Sequence, residues 1–286
     1  MRVGILGASG LVGRYLRAAI QLRGDDVVEA GLRDPQAAAR QTSACDVVVN
    51  LAGEPIAQRW TDEAKRRIVE SRVEAPRRYL ESLAAEPHRP NAYVSASAIG
   101  YYGTSDDATF TESSAAGSDF LATVCIAWER EANRAAELGM RVAIVRTGIA
   151  LATDGGALAK MLPPFRLGLG GKIGSGKQWM SWVHIADLIG VYLLAIDGAE
   201  GALNATAPLP VTNADFTSSL GRALSRPTFL PTPILALRAM LGEGADLLLL
   251  GQRVVPERTQ STGFSFAYPV LQDAFDALFS RDPERA

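Results

Sequence analysis

The chain has 286 residues, a formal charge of −2 and a sequence pI near 5.8, which allows one large core with a smaller appendage. No basic stripe breaks the mix, so nucleic acid and an anionic membrane surface are not expected partners, and no apolar run approaches the ~20 residues of a spanning helix. Two cysteines (Cys45, Cys125) and two histidines (His88, His184) have neither disulfide-framework nor metal-ligand spacing; no metal is expected, and with no room for a targeting segment before Val3 a cytoplasmic location is.

The apolar "VGIL" at 3–6 predicts a strand, and a helix follows from about Leu11 to Leu22 with Val12, Leu16, Ala19 and Ile20 on one face. Between them stand Gly7, Gly10 and Gly13. At that spacing Gly7 allows a tight turn, Gly10 lets the backbone approach a pyrophosphate, and Gly13 lets helix and sheet pack closely. The helix N-terminus then faces the anion. In an alternating βα chain this reads as a dinucleotide site rather than an ordinary glycine-rich turn. The second strand, "VVEAGL" (27–32), ends on Leu32 and Arg33, where NAD sites usually carry an acid for the ribose 2′-hydroxyl. A guanidinium suits a 2′-phosphate by charge and fork geometry. NADP(H) is therefore the expected cofactor, the alternative being a surface arginine paired with Asp34.

Only fourteen residues separate Leu32 from Val47, too few for a helix–strand–helix unit, so the sheet's outer third strand is expected to be short or missing. "DVVVNLAG" (46–53) is the next strand, and Thr61 opens a long helix with Asp62 and Glu63 in its first turn. That helix should run to about Ala85, bent or split by Pro76. Strand 92–97, a polar loop, helix 118–138 and strand 141–146 complete an α/β fold with a doubly wound parallel Rossmann sheet. After about Ala150 the rhythm changes, and the Gly- and Pro-rich 155–179 reads as a segment that closes over a site. The expected division is an NADP(H)-binding domain over 1–150, to which 180–204 and 263–280 return, and a small C-terminal substrate or lid region over 151–179 and 205–262. Lys160, Arg166, Lys172, Lys177, Trp179 and Trp182 suit an anionic or sugar-like small molecule, although a solvated loop would look the same. The oligomeric state is left open.

Read in order, "GASGLVG", "NLAGEPI", "SASAIGYYG", "RTGIALATDGGALAKMLPPFRLGLGGKIGSG", "WVHIADLIG" and "GQRVVPERTQSTGFSFAYPVLQDAF" resemble the extended short-chain dehydrogenase/reductase superfamily. Within it they look like the "epimerase family protein" branch, sugar-nucleotide-epimerase-like, some members of which carry a "cell division inhibitor" label. The resemblance spans nearly the whole chain. It implies that Gly7, Ser9, Gly10, Leu11 and Val12, with Gly13 behind them, hold the pyrophosphate, and that Leu32 and Arg33 meet the adenine-ribose end. It also implies that Leu51, Ala52 and Gly53 line the adenosine side and that Arg72 contacts cofactor, a solvated helix face being the alternative. Arg146, Thr147 and Gly148 would carry the backbone past the nicotinamide. His184 and Asp187 would lie under the substrate region, His184 as a hydrogen-bonded structural residue.

The superfamily's acid/base is a Tyr-x-x-x-Lys pair, because a free phenol with a pKa of about 10 is a poor base at neutral pH. Counted back from Glu129, the pair should stand at positions 121 and 125, where this chain has Leu121 and Cys125. Leu121 cannot transfer a proton, and Cys125, mid-helix on an apolar face, reads as a packed thiol. The orienting hydroxyl falls at Ala98, and Ser97 beside it points to the other face of the strand unless the strand end re-aims it. Ser97, Tyr101 and Tyr102 are thus the candidates for catalysis, against a packing role for the "GYYG" loop or a bound water as the proton source. The function expected is an NADP(H)-dependent oxidoreductase or epimerase-like enzyme for a small carbonyl, hydroxyl or sugar-like substrate. The alternative is a catalytically silent NADP(H)-binding regulatory or assembly protein.

Overall fold

The computed structural model describes residues 1–280. Six parallel strands, β1 (Arg2–Leu6), β2 (Asp26–Ala30), β3 (Val47–Asn50), β4 (Ala92–Ala98), β5 (Arg141–Thr147) and β6 (Gly201–Ala205), form one sheet in the order β6-β5-β4-β3-β1-β2. The helices used below are α1 (Leu11–Leu22), α2 (Pro35–Thr42), α3 (Asp62–Val69), α4 (Ala75–Ala84), α5 (Phe120–Asn133), α6 (Gly156–Arg166), α7 (Ile185–Asp197) and α8 (Asn213–Leu224). On one face α1 and α7 set Leu16, Ile20, Leu188 and Tyr192 against Val3, Ile5 and Val94. On the other, α2, α4 and α5 set Ala39, Tyr79, Leu83 and Ala132 against Leu6, Val48 and Tyr93. Covered on both faces, β3 is buried at every position, as its unbroken apolar run requires.

No strand lies beyond β2 among the described residues. The short stretch after it is spent on α2, started by Asp34, whose carboxylate accepts from Ala37 N at 3.0 Å, with Pro35 in the first turn. β2 itself stops at Ala30, two residues earlier than its apolar pattern predicts, so Leu32 and Arg33 belong to the loop. The long helix after Thr61 is split, as expected, but by a π turn over Glu70–Glu74. Pro76 has no N–H to offer the carbonyl four residues back, and the ladder slips so that Ala75 N bonds Glu70 O.

The first half of the segment 155–179 is α6, with Pro163 and Pro164 inside it. One expectation about the C-terminal half is corrected. The helix over Leu271–Phe279 does not return to the sheet. It packs Phe275 and Phe279 on Phe216 and Leu220 of α8 and on Leu158, Leu162 and Phe165 of α6, in a second core. The sheet face it would have joined is already covered by α1 and α7. Phe264 and Phe266, just before it, do rest on the sheet core. No helix among the described residues is long and apolar enough to cross a membrane.

Candidate functional site

The three glycines after β1 are required for different reasons. Gly7 has φ +88°, and a Cβ there would stand 2.9 Å from Ala52 N. A Cβ on Gly13 would stand 2.5 Å from Gly7 O and 2.7 Å from Ala8 Cα. At Gly10 the nearest atom is Gly7 O at 3.5 Å, an ordinary contact, so internal packing does not call for glycine there. What Gly10 leaves open is the space before the N-terminus of α1, which no side chain caps. Ser9 and Gly10 are exposed, Leu11 and Val12 half-buried. The Gly7–Ala52 contact brings this turn against Leu51, Ala52 and Gly53, so two of the loops assigned to the cofactor adjoin. Asp154 reaches the first turns of α1, accepting from Arg14 Nη2 at 3.1 Å and the Tyr15 hydroxyl at 2.9 Å. Behind it, Cβ atoms on Gly155 and Gly156 would lie 3.0 and 2.9 Å from the Leu11 methyls, so the chain there rests on Leu11.

On the β2 side, Arg33 is exposed and does not pair with Asp34, because that carboxylate caps α2. It lines a groove between α2 and α4 together with Gln36, Arg78 and Ser82, while half-buried Leu32 packs against the core under those helices. On the β3 side stands Arg72, only 8 % exposed. The π turn rotates it inward, its guanidinium centre 5.1 Å from the Trp128 ring of α5. A Cβ on Gly53 would lie 3.0 Å from its Nη2. Its Nη1 makes two long contacts, to Ile68 O at 3.5 Å and Ser71 Oγ at 3.4 Å, and its Nε has no partner. Burial lowers its pKa. A solvated helix face, the alternative for Arg72, is not what the structure has.

The catalytic candidates separate. Ser97 points toward α5 and donates to Glu129 Oε1 at 2.6 Å. Arg146 grips the same carboxylate with two bonds, 2.9 and 2.8 Å, and donates through Nη1 to the Tyr102 hydroxyl at 2.9 Å. Tyr102 in turn donates to Asn204 Oδ1 at 2.7 Å. All five side chains are buried. Burial, against the pull of Arg146, pushes the Tyr102 phenol up to about 12. Ser97, Tyr102 and Arg146 are thus brought together, but as a satisfied network that ties α5 to β4, β5 and β6. Of the three hydroxyls, only that of Tyr101 has no hydrogen-bond partner among the described residues; its half-buried ring lies 3.5 Å from the Arg146 guanidinium.

Leu121 and Cys125 face Gly100, at which a Cβ would lie 3.3 Å from Leu121 Cβ and 3.9 Å from the thiol. Burial, then the charge of Glu129, pushes Cys125 up to about 12, so it is a packed, protonated thiol. Thr147 is half-buried at the end of β5. Gly148 is glycine because a Cβ would lie 2.5 Å from Ser181 O. His184 caps α7, accepting from Ala186 N at 3.1 Å, with its ring centre 3.9 Å from that of Tyr268. Asp187 takes the main-chain N–H groups of Ala267 and Tyr268 at 2.8 and 3.0 Å. Of the residues expected to suit a substrate, Trp182 is buried and donates to Leu209 O, Trp179 donates to Asp106 O, and Lys160 reaches Ala57 O. Lys172 and Lys177 are exposed. No group of three or more His, Cys, Asp or Glu among the described residues could hold a metal ion.

Sequence reasoning missed Glu129, Asn204 and Asp154. A signal existed for the first, an acid one residue after Trp128 on the buried face of α5, since a buried carboxylate needs a cation.

Against known proteins, a family model described as the NAD dependent epimerase/dehydratase family matches residues 3–205, and a domain of unknown function, DUF1731, matches residues 232–278. The "Epimerase family protein SDR39U1 homolog, chloroplastic" of Arabidopsis thaliana is 40% identical over 97% of this chain and 86% of its own length. The mouse "Epimerase family protein SDR39U1" is 37% identical, covering 96% of this chain and 98% of its own. A crystal structure of human epimerase family protein SDR39U1 (isoform2) with NADPH superposes with a TM-score of 0.90 at 33% identity, covering 98% of this chain and 100% of that one. A Thermotoga maritima UDP-glucose 4-epimerase with UDP-glucose gives a TM-score of 0.81 at 14% identity over 98% of this chain and 99% of that one, a likeness of fold alone.

Proposed function

We propose, from the premise that this chain belongs to the NAD dependent epimerase/dehydratase family, that it is an NADP(H)-binding oxidoreductase or epimerase-like enzyme. Its substrate would be a small carbonyl, hydroxyl or sugar-like compound. The observation that carries the reading is Gly10: the one glycine of the turn whose missing side chain serves nothing inside the protein leaves room before a free helix N-terminus. Gly7, Ser9, Gly10, Leu11 and Val12 would hold the diphosphate and Arg33 the 2′-phosphate, its guanidinium being exposed and unclaimed by Asp34. NADPH in the structure of the human relative supports the choice of cofactor. When bound, the nicotinamide supplies or accepts hydride. Tyr101 is the hydroxyl of this chain best placed to hold or give the proton, because Ser97 and Tyr102 spend theirs on Glu129 and Asn204.

Titration with NADPH and NADH tests the cofactor. NADPH should bind more tightly, and Arg33→Ala should lose most of that preference, on the order of 1–3 kcal/mol for a charge-assisted contact. Equal affinities in the unmodified protein would sink the assignment. A second reading, a catalytically silent NADP(H)-binding regulatory or assembly protein, is favoured by Leu121 and Cys125 standing where a tyrosine and a lysine would do the chemistry. Single-turnover absorbance of the nicotinamide with a library of carbonyl compounds separates the two. Loss of turnover in Tyr101→Phe with cofactor binding intact is the outcome expected of the enzyme.

A further inference from the structure

We infer that the substrate of the proposed reaction is an apolar carbonyl or hydroxyl compound, its hydrocarbon body lying against Leu121, Phe120 and Trp60 and covered by α9 (Ile234–Leu241). This deepens the reading above and rests on it. At position 121, where the superfamily would set its tyrosine, half-buried Leu121 packs on Gly100, next to Tyr101. One residue back, Phe120 meets the Trp60 ring edge to face with centres 5.2 Å apart, and both rings are half-buried. Trp60 spends its indole N–H on Ile56 O at 3.0 Å, so what it has left to offer is hydrocarbon. It also carries Gly244, at which a Cβ would lie 3.2 Å from the ring. The chain after Gly244 runs on into Leu248 and Leu250, both exposed. Apolar surface thus continues from the place of the missing tyrosine to the C-terminal body.

α9 is the second observation. Its sequence, ILALRAML, is apolar except for Arg238, and a helix apolar all round belongs in a core. None of its side chains is buried: Leu235 is 82 % and Met240 69 % exposed. It is fastened near its ends, where a Cβ on Gly174 would lie 3.0 Å from Ile234 Cδ1 and where Ala239 O accepts from Arg59. It therefore runs from the Gly-rich segment to the loop that carries Trp60. An apolar face left bare marks a binding surface, and continuity with the wall at Leu121 names its occupant as the substrate. A sugar nucleotide would need cations here for its diphosphate. Lys65, 5.3 Å from the Phe120 ring centre, is paired with Glu243, Arg59 donates to α9, and Lys160 reaches Ala57 O. In the reduction the carbonyl carbon gains hydride from NADPH and the oxygen gains the Tyr101 proton, which water restores, leaving an alcohol and NADP+. Nothing in that exchange requires a polar wall at Leu121.

Equilibrium binding of straight-chain methyl ketones, from 2-butanone to 2-undecanone, and of UDP-glucose to the NADP+-loaded protein tests this, because the oxidised cofactor cannot reduce them. Affinity should rise about two- to fourfold with each added methylene, and 2-undecanone should bind more tightly than UDP-glucose. Leu235→Ser combined with Met240→Ser alters only exposed side chains, so this variant should fold, keep its NADPH affinity and flatten the rise along the series. Leu121→Ser should weaken every ketone, by roughly three- to tenfold. A flat series in the unmodified protein, or tighter binding of UDP-glucose than of 2-undecanone, would overturn the inference and leave the cofactor reading standing. A full series in the double variant would remove α9 as the cover; if the same variant turned a dimer into a monomer in sedimentation, the bare face would belong to a second copy of the chain. Failure of the unmodified protein to bind NADPH would overturn the NADP(H) reading and this inference with it.

Discussion

Gly10 and Gly13 look alike in the sequence and differ in what a side chain would strike. At position 13 the obstacle is backbone, Gly7 O at 2.5 Å, and neither the turn nor α1 can move aside. Gly13→Ala should therefore cost stability, about 1–3 kcal/mol for an overpacked contact, read as a lowered denaturant midpoint. Gly10→Val meets only open space, so it should fold as the unmodified protein does and lose cofactor in a fluorescence titration; retention of cofactor would mean that the phosphates lie elsewhere. The spacing made this turn legible from residues alone, because strand, turn and helix are local. Arg72 was not legible in the same way. In "ESRVE" only the resemblance singled it out, with a solvated helix face as the alternative, and its burial goes with a slip in the hydrogen-bond ladder just before Pro76.

α5 holds its neighbours through one acid. Glu129 receives Ser97 from β4 and Arg146 from β5, and Arg146 passes the link to Tyr102 and Asn204. Glu129→Gln leaves a buried guanidinium without its counter-charge and should cost about 3–5 kcal/mol in chemical denaturation. Tyr102→Phe removes one hydroxyl from the chain and should cost about 1–3 kcal/mol. If the two losses were equal, the ion pair would not be the centre of the network. The same helix sets an alkaline limit. Cys125 ionises at about 12 in the fold against an ordinary 9.0, so the unfolded chain gives up this proton first. The stabilisation is complete below pH 9.0 and is lost as pH rises toward about 12. Cys125→Ala should shrink that alkaline fall in melting temperature while leaving cofactor binding alone. Periodicity located α5, and its apolar face correctly made Cys125 a packed thiol; the partners of Glu129 come from strands far away in sequence, which no local pattern reveals.

At the scale of the whole molecule, the doubly wound sheet and its missing outer strand followed from strand–helix alternation and from one loop too short for another unit. The second core did not, because α6, α8 and the helix over Leu271–Phe279 meet only in three dimensions, and "LQDAF" fits any apolar face. That second body touches the first at several places, among them Lys160 on Ala57 O, Lys65 on Glu243 and the clasp of Asp154 on Arg14 and Tyr15, with Gly155 and Gly156 on Leu11. The clasp fastens the first turns of α1, the helix at whose N-terminus the proposed diphosphate would sit. On that reading the clasp bears on how fast a dinucleotide leaves. Both carriers of the ion pair are about half exposed, and such a pair is worth ~0–1 kcal/mol. Asp154→Ala should accordingly speed NADPH release in stopped-flow displacement by about two- to fivefold, and added salt should speed release from the unmodified protein but not from the variant. On the proposed reading, how quickly this protein empties of its cofactor would be set in part by one exposed aspartate.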